Sequence, residues 1–152
     1  MKIEDLLKTS NQISETKKLV LNLIVTANHL GDQMQDVLKP FGISPQQFNV
    51  LRILRGQKGK PASLGNIQER MVSKMSNTTR LVDKLIDKGL CQRIICPSNR
   101  RKVEITITET GQELLKEIDP LVESMENSFS EKLTTQELTD LNYKLNELRN
   151  TD

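Results

Sequence analysis

Apolar residues recur every three or four positions from about Glu15 to Lys39, at Leu19, Val20, Leu23, Ile24, Ala27, Leu30, Met34, Val37 and Leu38. That spacing predicts a long amphipathic helix, ended by Pro40 and Gly42. Its stripe is broad for a helix that must also start a small domain, so part of it is expected to meet another chain. Ser44-Pro45-Gln46-Gln47 then supplies a cap residue, a Pro at the first helical position and a Gln three residues on. Phe48, Leu51 and Leu54 give the buried side of this second helix. A loop with two glycines and a proline spans residues 56–61. Ser63 can cap a short third helix, roughly Leu64 to Met71, with Ile67 and Met71 inward. Gly65 in its first turn weakens it.

A fourth helix is predicted from about Lys74 to Lys88. Its apolar side is Met75, Thr78 in part, Leu81, Val82, Leu85 and Ile86. Ser76, Asn77, Arg80 and Lys84 lie on the opposite face, with Thr79 at the border. Gly89 follows as a left-handed stop. Leu90 to Ile95 reads as a strand. Lys102 to Thr108 alternates strictly, with Val103, Ile105 and Ile107 on one face. Between them, Cys96-Pro97-Ser98-Asn99-Arg100-Arg101 is a hairpin tip. Thr108 caps a fifth helix carrying Leu114, Leu115, Ile118, Leu121, Val122, Met125 and Phe129, with Pro120 as a kink point. Thr134 and Glu137 form a capping box for a last helix with Leu138, Leu141, Leu145 and Leu148.

A helix that fits the major groove, followed by a hairpin with an arginine tip, outlines a winged helix-turn-helix. The expected fold is mainly α with a small β-hairpin wing. Residues 1–40 are read as an N-terminal dimerisation helix, 41–107 as the winged helix-turn-helix DNA-binding lobe, and 108–152 as C-terminal dimerisation helices, all one integrated domain. A twofold dimer would carry two reading helices, suited to half-sites about 10 base pairs apart.

Charge sharpens this picture. The 152 residues sum to only +2. Yet residues 70–102 hold 9 basic and 2 acidic side chains, whereas residues 103–152 hold 4 basic and 12 acidic. A positive block beside a negative tail turns one surface toward a polyanion. The composition, 36% hydrophobic and 28% charged, is that of an ordinary globular chain. No apolar run approaches the ~20 residues needed to span a bilayer, so no membrane partner is expected. The N-terminus does not read as a signal peptide, and the cytoplasm is the expected compartment. With one histidine and two cysteines, no metal site, cofactor or catalytic set is expected, and the chain is not read as an enzyme.

Asn77 and Arg80 are the sharpest candidates for reading bases, since Asn can pair bidentately with adenine and Arg with guanine. Ser73, Ser76 and Thr79 are short hydroxyl residues near the helix start, suited to phosphates or bases. Lys74 and Lys84 suit phosphate contacts. Arg100 and Arg101 at the hairpin tip suit a narrow minor groove. Either segment alone reads more simply as a solvated polar face or turn; their adjacency favours DNA. Cys91 and Cys96 sit at the two ends of the first wing strand. They read as small apolar residues, with a thiol redox switch as the alternative.

Three runs carry a resemblance: I-S-P-Q-Q-F-N-V-L-R-I-L, M-S-N-T-T-R-L-V-D-K-L-I-D-K-G-L and N-R-R-K-V-E-I-T-I-T-E-T-G. Together they closely resemble the MarR family of bacterial transcriptional regulators, in order and spacing from about Leu19 to Leu148. The resemblance implies a triangular homodimer on palindromic double-stranded operators, usually as a repressor. It implies release by a small aromatic effector or by thiol oxidation, the effector lying between the dimerisation helices and the DNA-binding lobe. By position, Ser73 to Arg80 match the start of the recognition helix, and Arg100 and Arg101 match the basic pair of the wing tip. One departure stands out. Asn99 replaces the family's usual Asp, which is expected to orient a wing Arg; an Asn accepts a hydrogen bond without charge, so the bond should be weaker. A protein-interaction adaptor that keeps the fold without DNA binding is the reading from a different class.

Overall fold

A computed structural model of the chain describes residues 1–10 and 12–150. The elements run α1 (Ile3–Leu6), α2 (Glu15–Leu38), α3 (Pro45–Gly56), α4 (Leu64–Arg70), α5 (Thr78–Asp87), β1 (Cys91–Ile95), β2 (Val103–Ile107), α6 (Glu109–Ser130) and α7 (Thr135–Arg149). A single 3-10 turn, Lys39–Phe41, joins α2 to α3. The fold is thus mainly α with an antiparallel hairpin, and no described helix is long and apolar enough to cross a membrane.

Local chemistry starts most of these helices where the pattern places them. The Ser44 hydroxyl accepts from the Gln47 N–H at 3.1 Å, while the Gln47 side chain accepts from the Ser44 N–H at 2.9 Å. Ser63 with Asn66, and Thr134 with Glu137, close the same reciprocal box. Thr108 accepts from the Gly111 N–H and starts α6. Gly42 at φ +69° and Gly89 at φ +71° take the left-handed conformation that turns the chain after Phe41 and after α5. Helix α6 continues through Pro120, which has no N–H for the Lys116 carbonyl. The four-residue helix α1, invisible to the periodicity, buries Ile3 and is tied to α2 by a Glu4–Lys18 ion pair at 2.8 Å.

One core serves the whole lobe. Phe48, Leu51 and Leu54 of α3 meet Ile67 of α4, Val82 and Leu85 of α5, Ile105 of β2, and Leu115 and Ile118 of α6. The hairpin is tied into this core by more than its own ladder. Ala62, just before α4, exchanges two backbone hydrogen bonds with Ile105, at 2.9 and 2.8 Å. Gly111 seals the other side of the wing base. A Cβ there would stand 2.2 Å from the Leu90 carbonyl oxygen, so only glycine lets α6 start this close to β1. Arg55 of α3 grips Asp119 of α6 with two hydrogen bonds.

The fourth predicted helix differs from expectation at its start. It begins at Thr78 rather than Lys74, with Asn77 as the cap accepting from the Arg80 N–H at 3.1 Å. Met75 is therefore not an inward residue; it stands 96% exposed on the preceding turn. Thr78 is buried instead, its hydroxyl donating to the side-chain oxygen Oε1 of Gln68.

Candidate nucleic-acid interface

The surface of interest is built from the turn 71–77, the first turns of α5 and the tip of the hairpin. The turn is pinned from outside. The Val72 N–H donates to the Asn49 side chain at 2.9 Å, and the Gln68 amide donates to the Lys74 carbonyl at 2.9 Å. Gln68 thus holds both the turn and, through Thr78, the first residue of α5. At the other end of α5, the Lys88 ammonium donates to the Gly42 carbonyl. Arg93 of β1 pairs with Asp83 at 2.6 Å. Helix α5 is thus fixed at its start, its middle and its end.

These contacts sort the positive block. Arg70 donates to the Asn66 carbonyl, Lys74 to the Glu69 carbonyl, and Lys88, as above, to Gly42. Arg93 and Lys102 face Asp83 and Glu104. Among the described residues, the side chains of Arg80, Lys84, Arg100 and Arg101 have no such partner. Two of these four cations lie on the exposed face of α5 and two on the wing tip. Lys74, by contrast, has its ammonium engaged.

Ser73, Lys74 and Ser76 lie on the turn, Asn77 is the helix cap, and Thr79, Arg80 and Lys84 lie on the helix proper. Ser73, Ser76, Asn77, Arg80 and Lys84 line one open cleft of ≈ 380 Å³, together with Ser44, Gln46 and Gln47 from the start of α3. The Ser76 hydroxyl is buried there with no hydrogen-bond partner. At the wing, the Asn99 N–H donates to the Cys96 carbonyl and the Lys102 N–H to the Asn99 carbonyl, at 3.1 and 2.9 Å. Arg100 and Arg101 project from this closed turn. Arg101 also borders a second cleft whose far wall is Ser63, Leu64 and Gly65 at the start of α4.

This arrangement has counterparts among known proteins. The MarR family matches over residues 43–103, from the end of the turn before α3 to the first residue of β2. The HTH-type transcriptional regulator MhqR of Bacillus subtilis is 32% identical over 103 residues, which is 68% of this chain and 70% of that protein. A solved MarR transcription factor from Planctomyces limnophilus is also 32% identical, with a TM-score of 0.69 over 91% of this chain and 99% of its own. The chain belongs to the MarR family. A more distant MarR-like fold, BpsR of Bordetella bronchiseptica, matches at a TM-score of 0.80 and 22% identity, over 93% of this chain and 100% of its own. The DNA binding of BpsR is regulated by 6-hydroxynicotinic acid. MarR-family members are transcriptional regulators, not enzymes.

Within this MarR-family wing, Asn99 does not reach for an arginine side chain. Its side-chain oxygen Oδ1 accepts from the Arg101 backbone N–H at 3.1 Å, the short-range bond by which Asn and Asp shape turns. The residue sets the course of the tip rather than the aim of a guanidinium. The two thiols are free and differ sharply. Cys91 is buried, its sulfur 3.8 Å from the Val82 carbonyl, and burial pushes the thiol up to about 11. Cys96 lies 3.1 Å from the Ser98 hydroxyl, whose hydrogen bonds draw its pKa below the ordinary thiol value. The buried partner is a poor nucleophile, which weighs against a Cys91–Cys96 couple. Gln68 and Asn49 were missed by sequence reasoning. A polar residue on the margin of a helix carries no local sign that it will hold a turn several residues away.

Proposed function

We propose that this MarR-family regulator acts as a homodimeric repressor on a palindromic double-stranded operator, with α5 in the major groove and the hairpin tip in the adjacent minor groove. The observation that carries the reading is the sorting of the positive block. The structure satisfies five of its nine cations internally and leaves Arg80, Lys84, Arg100 and Arg101 for an external anion. Arg80 is assigned to a guanine edge, Lys84 to phosphate, and Arg100 and Arg101 to the minor groove. Ser73, Ser76, Asn77 and Thr79 frame the base-facing end, with Lys74 at its margin.

The dimer is supported by faces that the protomer leaves open. Helix α7 buries no residue. Leu141, Tyr143 and Leu148 on it, and Leu19, Val20, Leu23 and Ile24 on α2, are exposed. A face of this kind rimmed by charge marks an interaction surface. A small aromatic effector would fit a cleft of ≈ 250 Å³ lined by Met34, Phe48, Arg52, Met71 and Val72 among others. That is just below the usual ligand-site range, and its Arg52 suits a carboxylate or phenolate. The cleft shares the Asn49–Val72 contact with the turn that starts α5, so an occupant there would act directly on the reading helix. The cytoplasm is the compartment this role requires.

Fluorescence anisotropy with duplex DNA from upstream of the protein's own gene tests the reading. Specific binding is expected, weakening steeply between 50 and 200 mM salt in proportion to the phosphates neutralised, as counter-ion release requires (about 0.9 log units per phosphate for each tenfold in salt). Arg80→Ala should lose about 1–3 kcal/mol per half-site and relax preference at one base pair there, while Arg101→Ala should weaken binding most on sites with a narrow, A·T-rich minor groove. Specific binding that survives both substitutions together would overturn the residue assignment.

A further inference from the structure

Met75 is almost wholly exposed, and with the half-buried Leu81 it supplies the large apolar side chains of the α5 cleft, among Ser73, Ser76, Asn77, Arg80 and Lys84. Its backbone is not loose. Gln68 holds the carbonyl of Lys74 on one side, and the Ser76 N–H donates to the Ser73 carbonyl across it. A thioether side chain is thus presented on a fixed turn, away from the core, beside the cations that have no internal partner. Nothing in the protomer covers it, and its cleft neighbours Arg80 and Lys84, cations without an internal partner, suit a polyanion as the covering surface. Within a polyanionic duplex, the apolar feature of the major-groove floor is the C5-methyl group of thymine.

We propose that Met75 is a specificity-determining residue that packs on a thymine C5-methyl in each half-site, next to the base read by Arg80. The inference rests on the duplex-DNA reading above. The cations set where α5 docks, and Met75 adds a preference that no hydrogen bond supplies. Its unbranched side chain adapts to the methyl without demanding one rotamer. Losing one buried methyl contact corresponds to about a three- to five-fold weakening for each half-site.

The test uses the full chain and its preferred duplex, found by selection from random sequence. Each thymine is replaced in turn by deoxyuridine, which keeps every hydrogen-bonding group and removes only the methyl. One thymine per half-site is expected to show the three- to five-fold loss. Met75→Ala, which removes the contact from both protomers, should show that loss twice over, about 9- to 25-fold, on the thymine duplex, and deoxyuridine at the contacted thymine should then cost the variant nothing further. Binding that is indifferent to deoxyuridine at every position, or a deoxyuridine effect that persists undiminished in Met75→Ala, overturns the inference and leaves the DNA reading intact. Failure to select any duplex overturns both. The substitution of an exposed side chain leaves the core untouched, and the deoxyuridine arm needs no variant at all.

Discussion

Asn77 combines a structural role with the proposed recognition role on the two ends of one side-chain amide. From its type and position it reads as a base-contacting side chain. The structure uses its carbonyl oxygen to cap α5 through the Arg80 N–H, which leaves the amide nitrogen free to donate. Asn77→Ala should therefore cost about 1 kcal/mol of stability, measured as a lowered urea midpoint, whereas Asn77→Ser should keep the cap and the midpoint. Equal midpoints for all three proteins would remove the cap from the account. Residue-level chemistry was legible where both partners sit within one turn and no rival cap stands beside them, as with Ser44 and Gln47 or Thr134 and Glu137. It was not legible for Gln68 and Asn49, whose partners lie ten and twenty-three residues away.

At the scale of elements, the same distinction decides which boundaries the pattern places correctly. The starts of α2 and α3 and the stop at Gly89 follow from local periodicity and backbone geometry. The start of α5 does not, because S-K-M-S-N-T-T offers Ser73, Ser76 and Asn77 as rival caps. The choice falls to Gln68, which anchors Thr78 and pulls the helix start to Asn77. The wing is likewise more than a hairpin, since the strand-like pairing of Ala62 makes β2 a middle partner. Its base depends on Gly111. Gly111→Ala should destabilise the protein by roughly 1–3 kcal/mol, at the upper end because the opposing atom is backbone. An unchanged thermal midpoint would show that α6 can retreat from β1 at no cost.

For the whole molecule, the charge split and the apolar terminal helices place two surfaces on one frame. The basic surface is made by α5 and the hairpin tip; the uncovered apolar one by α2 and α7. In the proposed dimer, the second surface sets the copy number. Leu141→Glu with Leu148→Glu should leave helical content intact, shift the chain to a monomer in sedimentation, and lower operator affinity about 10²- to 10⁴-fold by uncoupling the half-sites. A dimer that persists would place the interface elsewhere. Whether one duplex site is read by paired α5 helices and wing tips is decided by selecting bound sequences from a random duplex pool with the intact chain. The expected result is enrichment of an inverted repeat with half-site centres about 10 base pairs apart and a guanine in each half-site whose preference disappears in Arg80→Ala. No enrichment over the starting pool, or a motif unchanged by Arg80→Ala, would contradict it.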